Sequence, residues 1–210
     1  MTDEQHEHEH DEQHEHEHDE HHEHHEHHEH VPVEYRDAIE GFREDKDDFF
    51  RTHARSPVPA AERAAFNGIP YFPIDEALRF EDRPLEPYTG AEPSKFQIPT
   101  TDGQLRPAHR AGVLRFEIEG QPLQLTAYTF DGGDDEALFV PFLDGTTGTE
   151  SYGAGRYLDL EREGDGTYWI DFNLAYHPSC VYDPQYSCPL TPAENRLPVR
   201  IEAGERLAPA

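Results

Sequence analysis

The residues best equipped for chemistry fall between Asp144 and Asn195. The run Asp144–Asp159 carries Gly145, Gly148, Gly153 and Gly155 ahead of Arg156. Glycines let a backbone approach another group closely. Successive backbone N–H groups can cradle an anion, and a guanidinium can grip a carboxylate or phosphate through two parallel bonds. Arg156 is therefore a candidate anion clamp. The spacing fits neither a Walker loop nor a dinucleotide fingerprint. The competing reading is a long hairpin loop whose Arg and Asp pair with neighbouring strands.

Further on, alternation over Tyr168–Asn173 sets Tyr168, Ile170 and Phe172 on one side of a strand and Trp169, Asp171 and Asn173 on the other. Two polar groups beside an indole describe the wall of a pocket for a sugar-like or other polar ligand. They also describe a solvated sheet face. Next comes a Pro- and Tyr-rich stretch holding His177, Cys180, Asp183 and Cys188. Three chemistries compete there. One is a zinc site completed by Asp183, at a spacing outside the usual patterns. Another is a Cys180 nucleophile activated by His177. The third is a pair of buried or adjacent cysteines anchoring an ordered loop.

At the other end, residues 1–30 hold 13 His and 13 Asp or Glu and no apolar residue after Met1. Such a segment cannot bury a core, so disorder is expected. Imidazoles suit Zn, Ni and Cu, and His22, His25 and His28 are candidate ligands. A solubilising low-complexity tail is the alternative. No other cofactor is expected.

These residues need elements to hold them. Tyr35, Ile39, Phe42, Phe49 and Phe50 form one stripe at helical spacing, which predicts a helix over 34–55. Lys46 and His53 share that stripe, and Ser56-Pro57 ends it. A second helix is expected at about 60–66, stopped by Asn67-Gly68. From about residue 78 the period falls to two. Leu114, Phe116 and Ile118 precede a turn at Gly120-Gln121, and Leu123 and Leu125 return from it. A turn at Asp131–Asp134 leads to Leu138, Val140 and Phe142. Further strands are expected near 79–83, 94–99, 105–110, 156–161, 167–173 and 198–203. The fold class is mainly β: an antiparallel β-sandwich or barrel with two N-terminal helices packed on it. Residues 31–206 are expected to make one domain.

Composition narrows the setting. The 210 residues carry 45 acidic and 17 basic side chains, a formal net charge of -28. Only Lys46 and Lys95 are lysines. This charge argues against binding along nucleic-acid phosphates. No run approaches a membrane span, and the N-terminus lacks a signal-peptide pattern. Two cysteines are too few for a disulfide scaffold. Net charge this large keeps a protein soluble where molar salt screens its self-repulsion. The expectation is a cytoplasmic protein of a salt-accumulating organism.

The C-terminal motifs form a recognisable set. They are Tyr152-Gly-Ala-Gly-Arg156-Tyr-Leu-Asp159, then Asp171-Phe-Asn173 with Ala175-Tyr176, Pro178, Cys180 and Tyr182. Cys188-Pro189-Leu190, Pro192, Glu194-Asn195-Arg196-Leu197 and Ala203-Gly204-Glu205 follow. With Phe49-Phe50, Ser56-Pro57 and Tyr71-Phe72-Pro73-Ile74-Asp75, this set resembles the domain-of-unknown-function family 1684, found in bacterial and archaeal proteins. The resemblance spans about residues 34–206. His177 departs from it, since family members more often carry Asn there. The resemblance implies that the polar cluster is a family feature, and it supplies no activity.

Three functions remain open from the residues. One is a small polar or anionic ligand bound by Arg156, Asp159, Trp169, Asp171, Asn173, Tyr176 and Cys180. Another is a hydrolase using Cys180 or Asp171, with Arg156 stabilising negative charge. The third is an interaction or structural domain. The first two need Arg156, Asp171, Asn173 and Cys180 on one concave surface. The third needs them buried against each other.

Overall fold

A computed structural model of the chain describes residues 33–132 and 137–208. The acidic tail with His22, His25 and His28 lies outside the described residues, as do Gly133 and Asp134 of the expected turn. Helix α1 spans Val33–Thr52, with Glu34 in its first turn and Arg51 in its last, each complementing the helix dipole. Ile39 and Phe50 of its stripe are buried. The expected second helix is absent. Its segment forms only a 3-10 turn, Arg63–Ala65, with no buried residue. A seven-residue, Ala-rich stretch is too short to propagate a helix without an apolar face, and Phe66 is its one packing residue, against Phe50.

The strands are β1 (Arg79–Arg83), β2 (Lys95–Pro99), β3 (Leu105–Ile118), β4 (Gln121–Phe130), β5 (Leu138–Phe142), β6 (Arg156–Leu160) and β7 (Tyr168–Asp171). β2 to β6 form one antiparallel meander in chain order, and β1 pairs with β7 in a second, two-stranded sheet. No pairing joins β2 to β6, so the large sheet stays open and is not a barrel.

Three expectations shift in detail. Segments 105–110 and 114–118 are one strand, bent at a bulge between Arg110 and Gly112. Gly112 is required there, because a Cβ would lie 2.5 Å from the Glu86 carbonyl. The hairpin turn is Glu119-Gly120, one residue earlier than expected, with φ of 50° and 76°. Positive φ at both centres is the geometry that matches strand twist. Residues 198–203 start in a bend at Pro198-Val199 and join no sheet.

The two sheets share one core. Phe172 packs against Phe116 at 5.6 Å and Phe142 at 5.2 Å, and Phe80 meets Phe116 at 5.0 Å. Tyr168 and Ile170 fill the same cluster. That leaves the opposite face of β7, with Trp169 and Asp171, turned outward toward α1.

Candidate functional site

A cleft of about 870 Å³ lies between α1 on one side and β6 and β7 on the other. Strand alternation places Trp169 and Asp171 on it, and β6 contributes Asp159. Tyr176 follows from the loop after β7, held by backbone bonds in both directions with Tyr157. Four of the predicted residues thus converge. Helix α1 supplies the facing wall: Tyr35, Phe42, Lys46 and Phe49.

At one end, the Tyr35 hydroxyl donates to Asp171 Oδ2 at 2.7 Å. The Asn173 Nδ2 donates to Tyr35 at 3.0 Å, to the Asp75 carbonyl at 2.7 Å and to Asp171 Oδ1 at 3.0 Å. Burial and the bonded Asp171 push the Tyr35 phenol up. Asn173 is therefore a bracket behind the wall and does not line the cleft. The Arg79 guanidinium lies 4.6 Å from the Tyr35 ring and 4.8 Å from the Trp169 ring, and pairs with Glu81.

At the other end, the Tyr176 hydroxyl donates to Asp159 Oδ2 at 2.5 Å. The Asp159 carboxyl opens to solvent, yet the desolvating walls push it above the usual carboxylate range. Tyr176 and Lys46 pull the other way. The Lys46 ammonium sits 4.8 Å from the Tyr176 ring centre and pairs with the buried Glu205 Oε1 at 2.7 Å.

Arg156 stands elsewhere. It is fully buried, and its side chain ties down the last extended segment. Nη1 donates to the Ala203 carbonyl at 2.5 Å and the Glu205 carbonyl at 3.1 Å, and Nη2 donates to the Ile201 carbonyl at 2.7 Å. Asp144 lies 3.4 Å away as its counter-ion. Asp144 also accepts from the Thr146 and Ile201 amides, so it fills the glycine-rich loop from within. The loop closes on the chain itself, and Arg156 has no donor facing the cleft.

Cys180 is also outside the cleft. Its amide donates to Cys188 Sγ at 3.3 Å, and its thiol meets the Tyr152 hydroxyl at 3.9 Å. Both cysteines are free, and burial pushes the Cys188 thiol up to about 11. The His177 ring does not serve Cys180. Its Nε2 accepts the Tyr152 amide at 3.2 Å, and its backbone amide donates to Glu205. Among the described residues, no three of His, Cys, Asp and Glu converge as a metal site, so the set His177, Cys180, Asp183 and Cys188 is not assembled.

Sequence reasoning missed the α1 wall as a site: Tyr35, Phe42 and Phe49 were legible there only as a helical stripe, and Lys46 and Arg79 were not singled out. Lys46, one of two lysines, interrupts the apolar stripe of α1, a visible signal. Arg79 sits in an ordinary charged strand and gave none.

The family model described as "Protein of unknown function (DUF1684)" matches residues 64–206. Helix α1, which forms one wall of the cleft, precedes the matched segment. No curated protein matches the chain. The solution NMR structure of an uncharacterised protein of Haloarcula marismortui is similar, with 35% identity and a TM-score of 0.61, over 83% of this chain and 95% of that one. The family model spans more than half of the chain, from before β1 to beyond β7, and the chain belongs to the DUF1684 family.

Proposed function

We propose that this protein binds a small amphipathic molecule in the cleft between α1 and β6–β7. One observation carries the reading. Among the described residues, six large apolar side chains are exposed, and Phe42, Phe49, Trp169 and Leu174 line this single cleft. Exposed apolar surface gathered in one concavity marks a binding site, whereas scattered apolar residues do not. The volume falls in the range of small-molecule pockets, ~300–1,000 Å³. Polar contacts come from Asp159, Asp171, Tyr176 and Arg79. Asn173 supports the wall from behind.

A hydrolase draws less support, because the Asp171 oxygens are taken by Tyr35 and Asn173 and the His177 ring is turned from Cys180. The setting we infer is a salt-accumulating cytoplasm. The net charge of -28 and the Haloarcula relative support it. No described helix is long and apolar enough to cross a membrane.

The test is a thermal-shift screen of the full chain in molar KCl, against small carboxylates, amines, nucleotides, sugar phosphates and metals. A compound that raises the midpoint should lose its effect in Phe49→Ser, a change on the exposed face of α1. No shift with any compound, or a shift that Phe49→Ser leaves intact, overturns the reading.

A further inference from the structure

Resting on that reading, we infer that the ligand carries a positively charged nitrogen, seated against Asp159, with its apolar body on Phe42, Phe49 and Trp169. The inference starts from which charges in the cleft are already engaged. The Lys46 ammonium is turned to Glu205 Oε1 at 2.7 Å. The Arg79 guanidinium is held between the Tyr35 and Trp169 rings and paired with Glu81. Both cations of the cleft therefore have partners of their own.

The acids differ. Asp171 is locked by Tyr35 and Asn173. Asp159 receives a single neutral hydroxyl, from Tyr176, on one oxygen. It has no ion-pair partner among the described residues, and its carboxylate opens into a mostly apolar cleft. Asp45, Glu161 and Glu163 line the same cleft and add negative potential.

Each ligand charge then has a different outcome. An anion would enter against these carboxylates with no cation free to meet it. A neutral molecule would cover Asp159 and leave its charge desolvated and unpaired, which is costly. An ammonium would supply the missing partner and donate to the open oxygen, a charge-assisted bond that the ligand's own apolar body would shield from solvent.

Three probes that share one aromatic body decide the matter: 2-phenylethylammonium, 2-phenylethanol and 3-phenylpropanoate. Their affinities for the full chain are measured by titration calorimetry in molar KCl. The ammonium should bind about tenfold tighter than the alcohol, and the carboxylate most weakly. Asp159→Asn keeps an acceptor for Tyr176 while removing the charge, so it should bring the ammonium down to the level of the alcohol. Trp169→Ala should weaken all three. Binding of the alcohol without a preference for the ammonium, or a preference that survives Asp159→Asn, overturns the charge assignment and leaves the cleft standing as a binding site. Binding by none of the three overturns both.

Discussion

His177 is buried, with its Nδ1 3.6 Å from the Glu205 carboxylate and the charges of Arg156 and Lys46 within electrostatic reach. Burial first, then those charges, hold its pKa down at about 3 against 6.5 when exposed. Its Nε2 accepts the Tyr152 amide, so the neutral ring is the form the fold uses. The native state thus resists a proton that the unfolded chain takes up below about pH 6.5. Stability from this residue is complete above 6.5 and is lost progressively as the pH falls toward 3. Between about pH 7 and pH 5.5 the loss should reach about 1 kcal/mol, in a window where ordinary carboxylates stay ionised. Urea unfolding of the wild type and His177→Asn at these pH values checks it. Asn offers the Tyr152 amide an acceptor that cannot titrate, so the variant should lack this share of the pH dependence. At this scale the sequence was half legible. Period two placed Trp169 and Asp171 correctly on one outward face. The role of Arg156 was hidden, because its partners are backbone carbonyls of residues 201–205, and no side-chain pattern announces a carbonyl.

The elements that read most clearly are those whose periodicity matches their burial. In β3, Leu114 and Phe116 are buried while Arg115 and Glu117 are exposed, as alternation requires. The helical stripe of α1 was equally plain, but it holds two functions: Ile39 and Phe50 go to the core, and Phe42 and Phe49 to the cleft. Elements whose form depends on distant partners were not legible. Residues 198–203 look like a strand by composition, yet they begin in a bend and are held by the Arg156 side chain without a ladder. The β3–β4 turn was misplaced by one residue because Glu119 is a poor candidate for positive φ. That misfit predicts a gain. Glu119→Asn creates the Asn-Gly pair that this turn favours and should stabilise the protein by about 0.5–1 kcal/mol in denaturant unfolding. A neutral or destabilising result would mean that the Glu119 side chain contributes something its exposure conceals.

For the whole molecule, the open meander and the small β1–β7 sheet divide the labour. The meander carries most of the apolar core, and the small sheet turns its outer face to the cleft. The mainly β class was legible from turn spacing, whereas the split into two sheets was not, since it rests on the pairing of Arg79 with Asp171, 92 positions apart in the sequence. The same pairing sets an order of assembly. The β3–β4 hairpin closes through two residues and needs little chain entropy to form, while β1 must wait for β7 across a long loop. Elements joined last are also the first to come apart by partial opening. Amide protons of Tyr168–Asp171 should therefore exchange with deuterium faster than those of Leu114–Leu125, by an opening that leaves the hairpin paired. A molecule that fills the cleft bridges α1 to β7 and should slow exchange in β7 and α1 alone. The cleft proposed to bind thus lies at the seam that this order of assembly closes last, and an occupant should act there as a clasp.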